Sequence, residues 1–284
     1  MLLVNGGSPV IWSPSRRQHI SRLHQPHSFY HFPLRSQTLT LAVAKIAMSS
    51  PPIDDAAAGT TIPPGFAEIV VVRHGETSWN ASKIIQGHMD SELNENGRKQ
   101  ASAVAVRLSN EPTFAAIYSS DLKRASETAQ IIATTCNLSE VITDTALRER
   151  NIGDIQGLTL RDAAKLKPVA YKIFMSHDRD KEIPGGGESH NQLYERCTSA
   201  LERIARKHIG ERVIVVTHGG VTRELYRRAR PNCSPHGRIQ NTAMSIFLVS
   251  ENGENWMLKV WGDVSHLEEI GVLEDSFGGD RNSA

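Results

Sequence analysis

Two runs of mostly β-branched residues with few polar interruptions mark the centre of the predicted structure. They are residues 68–73 (EIVVVR) and residues 212–220, which begin with RVIVVT. Continuous apolar runs of this length are typical of strands that are covered on both faces, as in parallel sheets. Shorter runs predict the remaining strands, at residues 115–120, 141–144, 245–251 and 256–261.

Between these strands, apolar residues recur at the spacing of an α-helix. The spacing predicts helices at residues 96–108, 122–136, 189–210 and 221–229. Asp121 stands directly before the second of these, and because aspartate is a preferred N-cap residue we expect it to cap that helix. Strands that alternate with helices predict an α/β fold, a three-layer sandwich with a mainly parallel sheet flanked by helices. Ligands of such sheets bind beyond the carboxyl ends of the strands.

The N-terminal segment differs in composition from the rest of the 284-residue chain. Residues 1–53 contain four arginines, one lysine and no acidic residue. This composition is typical of a transit peptide, which would direct the protein to a chloroplast or mitochondrion. The alternative is an extension of no consequence, with translation from Met48 and a cytoplasmic protein. In either case we predict a disordered extension at residues 1–65, a folded domain at residues 66–270 and a flexible tail at residues 271–284.

The composition of the chain argues against several classes of binding partner. Hydrophobic residues make up 39% of the chain and charged residues 22%, which is ordinary for a globular domain with a substantial core. The formal net charge of +1 indicates neither a nucleic-acid nor a membrane partner, and no apolar run approaches the roughly 18 residues of a membrane span. Cys136, Cys197 and Cys233 are too widely spaced for a zinc site, and we expect no disulfide framework, metal or cofactor.

Two histidines stand at the ends of the two central strands. Arg73 and His74 close the first strand, and His218 follows the apolar run of the second. A glycine follows each histidine, and glycine lets the backbone approach a ligand closely. A helix begins just after His218, so its free N–H groups favour an anion there. We therefore expect both imidazoles to converge on one anionic ligand at the carboxyl edge of the sheet.

Arg124 lies in the first turn of a predicted helix, after a third strand end. A cation there opposes the helix dipole, which suggests that the side chain serves a ligand. The alternative is a solvated arginine paired with Asp121 or Glu127. Arginine presents a planar fork of donors that suits phosphate oxygens, and two guanidinium charges balance a phosphate dianion. A neutral imidazole, with an ordinary pKa of roughly 6.5, can attack phosphorus between them. The set predicts phosphoryl transfer without a metal.

Five segments resemble, in the same order, the motifs of the histidine phosphatase superfamily, whose founding members are the cofactor-dependent phosphoglycerate mutases. The resemblance covers residues 67–263. Within it, LRER, GGGESHNQL, GERVIVVTHGGV and DVSHLEE are similar to plant phosphoglycerate mutase-like proteins, including the group described as metal-independent phosphoserine phosphatases. The five segments are RHGETSWN (73–80), SSDLKRASETA (119–129), ALRERNIGDIQG (146–157), IPGGGES (183–189) and VVTHGGVTR (215–223).

The resemblance implies a role for each matching position. His74 would be the nucleophile that becomes phosphorylated. Glu149 would be the proton donor, although by its position alone it is interpreted as a surface residue in a charged run. Asn80 would be a further phosphate donor, and Gln86 and Gly87 would belong to the substrate loop. The candidate catalytic residues are His74, Glu149, Arg73, Arg124 and His218, and the candidate substrate-binding residues are Arg73, Asn80, Gln86, Gly87, Arg124 and Gly219.

The segment that would cover the pocket, residues 158–189, is short and has no adjacent pair of arginines. We call this segment the cover. Glycolytic mutases of the family carry a longer insert there, so the short cover favours a phosphomonoesterase that uses a phosphohistidine intermediate. A phosphoglycerate mutase and a catalytically weak phosphate-binding regulatory module are the alternatives. Tyr171, Phe174 and Met175 lie at helical spacing in the cover, and they form either a lid face or simple packing.

The resemblance implies a small phosphorylated metabolite as partner, with phosphoserine the first expectation. Sugar phosphates, nucleotide-like monophosphates and a housekeeping phosphatase of broad specificity are left open, and so is a homodimer. Glu76 is expected to be structural, and Asp90 and Glu92 are expected to be solvent-facing loop charges. No role is assigned to the other histidines of the domain, which are His88, His177, His190, His208, His236 and His266.

Overall fold

The computed structural model describes residues 61–233 and 237–268. The predicted transit segment, the predicted tail at residues 271–284 and His236 lie outside this part of the chain. The strands are β1 (Phe66–Arg73), β2 (Ala116–Ser119), β3 (Val141–Thr143), β4 (Arg212–Thr217), β5 (Met244–Ser250) and β6 (Trp256–Asp263). The helices are α1 (Ser78–Ala81), α2 (Glu95–Ser109), α3 (Lys123–Thr135), α4 (Leu160–Leu166), α5 (Pro168–Phe174), α6 (His190–Lys207) and α7 (Gly219–Ala229).

The six strands of the described residues form one sheet in the order β3-β2-β4-β1-β5-β6. Strands β3, β2, β4 and β1 are parallel neighbours, whereas β5 runs antiparallel to both β1 and β6. Along the central pair, Glu68 is opposite Arg212 and Arg73 is opposite Thr217. The predicted mainly parallel sheet is confirmed, and the carboxyl ends of β1, β2 and β4 lie side by side at one edge.

Alternate residues of β1 face two different layers of helices. Ile69 and Val71 pack in a hydrophobic cluster with residues of α6 and α7. Val70 and Val72 pack in a second cluster with residues of α2 and α3. All four side chains are at most 1% exposed, and each burial stabilises the fold by about 1.5–3 kcal/mol. Helices on both faces of the sheet confirm the predicted three-layer sandwich.

A third hydrophobic cluster lies in the cover, where α4 and α5 pack against Ile85 and Ile183. Phe174 is 2% exposed inside this cluster, and Tyr171 and Met175 pack against it. Of the two interpretations of this apolar stripe, the structure therefore shows simple packing. The cover has a small core of its own, which gives it a defined shape beside the sheet edge.

A buried ion network fastens the cover to α7. Arg179 donates hydrogen bonds to both carboxylate oxygens of Glu224, at 2.7 and 3.3 Å. His190 Nδ1 lies 3.2 Å from Glu224 Oε1. Glu224 is 2% exposed, and a buried carboxylate requires such partners because an unpaired charge away from water is strongly unfavourable. The network holds the start of α6 and the preceding loop against one face of α7.

The N-cap prediction for α3 is wrong. Leu122 occupies the N-cap position and makes no side-chain cap hydrogen bond. Arg148 binds the Asp121 carboxylate at 2.7 and 2.5 Å instead, and the Lys123 N–H donates to Asp90 Oδ1 at 2.7 Å. A charge-assisted pair between arginine and carboxylate is roughly twice as strong as a neutral hydrogen bond, so Arg148 outcompetes the local backbone donor.

Candidate active site

His74 and His218 meet because of the register of the two central strands. β1 and β4 are parallel and Arg73 is opposite Thr217, so the residues that follow these two leave the sheet side by side. The two imidazole centroids are 5.1 Å apart. His74 is 3% exposed and His218 is 0% exposed. The structure thus brings both histidines to one point on the carboxyl edge of the sheet.

One hydrogen bond defines the protonation pattern of the His74 ring. Nδ1 lies 2.7 Å from the carbonyl oxygen of Gly75, and a carbonyl can only accept, so Nδ1 carries the hydrogen. Nε2 then keeps its lone pair. Burial holds the pKa of His74 well below its ordinary value, and the charges of Arg124 and Arg73 lower it further. The ring is therefore neutral at physiological pH, with Nε2 available as a nucleophile.

Backbone carbonyls, rather than a carboxylate, orient the guanidinium of Arg124. Its Nη2 donates to Gly87 O at 2.8 Å and its Nη1 donates to Met89 O at 3.0 Å. The side chain is 1% exposed. Burial lowers the pKa of Arg124 to about 10, so the guanidinium stays charged at neutral pH. The alternative of an ion pair with Asp121 or Glu127 is not what the structure shows.

Buried side-chain nitrogens of Arg124 and His218 have no hydrogen-bond partner among the described residues. They are Nε of Arg124 and Nδ1 of His218. The other ring nitrogen of His218 lies 2.9 Å from Ser120 Oγ. Leaving a buried polar group unsatisfied costs about 1–3 kcal/mol, and an anionic oxygen beside the Arg124 Nε–H would satisfy that donor. The arrangement therefore suits an oxyanion next to His74.

The loop that leads into β5 wraps around the end of β1. Arg73 Nη1 donates to Ile239 O, Asn241 Nδ2 donates to His74 O at 2.9 Å, and Thr242 N–H donates to Arg73 O at 3.0 Å. Thr242 has a φ of +57°, a strained conformation for a β-branched residue. The sequence does not reveal this loop, since no motif marks it and its contacts depend on the position of β5.

Glu149 is buried rather than solvent-facing, with 6% exposure. Its Oε1 accepts a hydrogen bond from the Arg150 N–H at 2.8 Å. Its Oε2 accepts one from the Gly220 N–H at 3.0 Å, at the start of α7. Because α7 begins directly after His218, these bonds hold the carboxylate beside the phosphate-binding residues. The interpretation of Glu149 as a surface residue does not describe this geometry.

Arg196 of α6 supports the segment that carries Glu149. Its Nη1 donates to Ala146 O at 2.9 Å and to Arg148 O at 2.7 Å, and its Nη2 donates to Glu149 O at 2.7 Å. Glu188 binds the other side of the same guanidinium, at 2.6 and 2.8 Å. One arginine in an amphipathic helix carries no distinctive sequence signal, so this contact was also missed.

The predicted substrate-binding residues lie at or near the same edge. Asn80 Oδ1 accepts from Thr77 N–H at 3.1 Å, and Gln86 Oε1 accepts from Thr77 Oγ1 at 3.1 Å, so both side chains order the loop after His74. Gly87, at φ +53°, presents its carbonyl to Arg124. Gly219 is the first residue of α7. Direct contact of these residues with a substrate stays a prediction.

Glu76 ties the loop after His74 to α2. Its Oε1 accepts from Asn94 Nδ2 at 2.6 Å, and its N–H donates to Gln100 Oε1 at 2.9 Å. Asp90 and Glu92 are exposed, as expected of loop charges. Within residues 61–233 and 237–268, no helix is long and apolar enough to cross a membrane, and no group of three or more His, Cys, Asp or Glu side chains could hold a metal ion.

Comparison with known proteins identifies the family of the chain. Residues 69–264 match the histidine phosphatase superfamily (branch 1). The chain belongs to this superfamily. Phosphoglycerate mutase-like protein 4 of Arabidopsis thaliana is 60% identical to this histidine phosphatase over 218 residues, which cover 77% of the chain and 94% of the relative. A metal-independent phosphoserine phosphatase of the same plant is 51% identical, covering 75% of the chain and 88% of the relative.

Among solved structures, a mycobacterial glucosyl-3-phosphoglycerate phosphatase with bound vanadate superposes on this histidine phosphatase with a TM-score of 0.61. The two are 30% identical, and the match covers 69% of this chain and 99% of the other. The prediction that the chain is an enzyme is confirmed: it is a phosphatase of the histidine phosphatase superfamily.

Proposed function

We propose that this phosphatase hydrolyses a small phosphorylated metabolite, without a metal, through a phosphohistidine formed on His74. The observation that carries the proposal is the state of the His74 ring. Its Nδ1–H is bound to Gly75 O, its pKa is held low by burial and by two arginines, and its Nε2 is left to attack. Phosphoryl transfer needs positioning and charge neutralisation, and Arg73 and Arg124 supply the charge.

In the first step, Arg73, Arg124 and His218 hold the phosphate oxygens while His74 Nε2 attacks phosphorus. The bond from phosphorus to the ester oxygen breaks as the bond to Nε2 forms. Protonated Glu149 gives its proton to the departing alkoxide, so that a neutral alcohol leaves. His74 is then a phosphohistidine and Glu149 a carboxylate.

In the second step, water attacks the phosphohistidine. The Glu149 carboxylate accepts a proton from that water as the bond between phosphorus and Nε2 breaks. Inorganic phosphate leaves, and both His74 and Glu149 return to their starting states. A mutase would differ only in the second acceptor, which would be another hydroxyl of the substrate. The shortness of the cover supports water as the second acceptor.

We propose phosphoserine as the first substrate to test. The support is the 51% identity to a protein described as a metal-independent phosphoserine phosphatase. The 60% identity to a protein described as phosphoglycerate mutase-like keeps isomerisation of 3-phosphoglycerate as the competing activity. Both substrates are small phosphate monoesters with a carboxylate, so they make the same demand on the phosphate-binding residues.

The test incubates the full chain with EDTA and, separately, phosphoserine, 3-phosphoglycerate and p-nitrophenyl phosphate. Free phosphate and 2-phosphoglycerate are both measured. We expect phosphate release from phosphoserine and no net isomerisation. Rapid quenching with ³²P-labelled substrate should trap an acid-labile phosphoenzyme, and His74→Ala should abolish both this label and turnover. Label that persists in His74→Ala would refute the nucleophile, and isomerisation without phosphate release would identify a mutase.

A further inference from the structure

His88 connects the loop that aims Arg124 to the segment that carries Glu149. We propose that His88 is a positioning residue, whose imidazole holds the Glu149 backbone in register with the phosphate site. The inference rests on the proposed function, because it concerns the acid of that reaction. Neither histidine motif includes His88, and no pattern in the sequence gives it a role.

The contact to Glu149 is short and its direction is defined. His88 Nε2 lies 2.7 Å from the carbonyl oxygen of Glu149, and since a carbonyl only accepts, Nε2 is the donor. Arg196 Nη2 donates to the same oxygen, also at 2.7 Å. A carbonyl oxygen has two lone pairs, so these two donors use its full capacity. The backbone at Glu149 is therefore held from the side of the substrate loop and from the side of α6.

The backbone of His88 lies between the two carbonyls that aim Arg124. Gly87 O accepts from Nη2 and Met89 O accepts from Nη1, at 2.8 and 3.0 Å. The His88 N–H donates to Gln156 Oε1 at 2.7 Å, which fastens the same loop to the segment after Glu149. The backbone of this loop thus positions the guanidinium, and the side chain of His88 reaches from it to the acid segment.

The surroundings of the ring keep it neutral without making it part of the core. Burial lowers the pKa of His88, which the hydrogen bond to the Glu149 carbonyl and the charge of Glu188 partly oppose. Glu188 Oε2 lies 4.0 Å from Nε2, and the side chain of His88 is 25% exposed. A neutral ring with the hydrogen on Nε2 suffices for the contact. Because the side chain of His88 is partly exposed, substitution should leave the fold intact.

This placement makes His88 a link between two parts of the reaction. Arg124 binds the phosphate, and Glu149 protonates the leaving oxygen of the same ester. The Arg124 and Glu149 side chains must therefore be correctly positioned relative to each other, since a misplacement of about 1 Å can cost on the order of a hundredfold in rate. The Nε2–H donor of His88 makes the contact to Glu149. Two substitutions can therefore be compared, one that keeps a donor at this position and one that does not.

The test compares His88→Gln, whose amide nitrogen can replace the Nε2 donor, with His88→Leu, which keeps bulk but cannot donate. For each, kcat/KM is measured on p-nitrophenyl phosphate, whose leaving group needs no proton, and on the fastest alkyl monoester of the wild type. We expect kcat/KM of His88→Leu to fall by a factor at least about tenfold larger on the alkyl ester than on the aryl ester. His88→Gln should stay within about threefold of wild type on both. A far-UV circular dichroism spectrum and a melting temperature unchanged from wild type would show that the variants are folded.

A double-mutant cycle with Glu149→Gln distinguishes positioning from a separate effect. Once the acid is absent, adding His88→Leu should cause little further loss on the alkyl ester, because coupled residues are not additive. Equal losses of His88→Leu on both esters, failure of His88→Gln to restore the rate, or full additivity would overturn the positioning role alone. If Glu149→Gln shows no preference between esters, the acid role is wrong and the inference that rests on it falls as well.

Discussion

Replacing Gly220 with alanine tests whether the position of the Glu149 carboxylate limits the rate. The Gly220 N–H donates to Glu149 Oε2 at 3.0 Å. A β-carbon on Gly220 would lie 2.2 Å from Glu149 Oε1 and 3.1 Å from its Cδ. Ordinary contacts begin at 3.4 Å, so the carboxylate has to move by about 1.2 Å, the difference between 3.4 and 2.2 Å.

The size of the effect follows from that displacement. A shift of about 1 Å at a reacting group can cost roughly a hundredfold in rate. The fold should not suffer, since the obstructing atoms are the end of a flexible side chain and alanine stabilises a helix by roughly 0.5–1 kcal/mol relative to glycine. We therefore expect a drop of about 100-fold in kcat/KM for phosphoserine, with an unchanged or raised melting temperature.

The assay measures kcat/KM on phosphoserine and on p-nitrophenyl phosphate, together with thermal unfolding. The value of kcat/KM on the aryl ester should fall far less, because its leaving group needs no proton. The control is Glu149→Ala, which removes the obstructed side chain, so that Gly220→Ala should have no further effect in that background. A Gly220→Ala variant with wild-type rates on both esters would refute the claim that Glu149 must lie where the structure has it.

Two further predictions concern charge. Burial raises the pKa of Glu224, but hydrogen bonds from His190 and Arg179 outweigh it and hold the value at about 2, against 4.5 ordinarily. The ionised form therefore adds on the order of 3 kcal/mol above pH 4.5, which is lost as pH falls towards 2. Urea unfolding should show Glu224→Gln less stable at pH 7, with the gap narrowing on acidification; a gap independent of pH would contradict this. In Arg124→Met, loss of the neighbouring charge should raise the pKa of His74 measured by NMR titration, and an unchanged value would show that Arg124 does not act on that ring.

The sequence allowed the phosphate-binding residues to be proposed because they stand at strand ends. Two β-branched runs predict adjacent parallel strands, and parallel strands bring their carboxyl ends to one edge, where the structure has Arg73, His74 and His218. The three-layer fold follows from the same runs and the helices between them. These are local patterns whose outcome in three dimensions is set by general rules of sheet geometry.

Contacts between distant segments could not be predicted in this way. The side chain of Asn241 reaches the carbonyl of His74 across 167 positions of sequence. Asp121 has the local signal of an N-cap, yet Arg148, 27 positions later, takes its carboxylate. His88 and Arg196 meet at one carbonyl oxygen only after the sheet and α6 are in place. Such pairings depend on the packed arrangement, and residue type alone does not select among the available partners.

The reversal of β5 has a consequence for the shape of the pocket. In a sheet built wholly of parallel strands, the connection entering a strand arrives at the amino end, far from the residues that leave the other strands. Because β5 runs the opposite way beside β1, its entering connection arrives next to Arg73 and His74 instead. The inverted strand thereby places the loop that enters β5 beside the nucleophile. The residues of this loop both connect to β5 and line one side of the pocket.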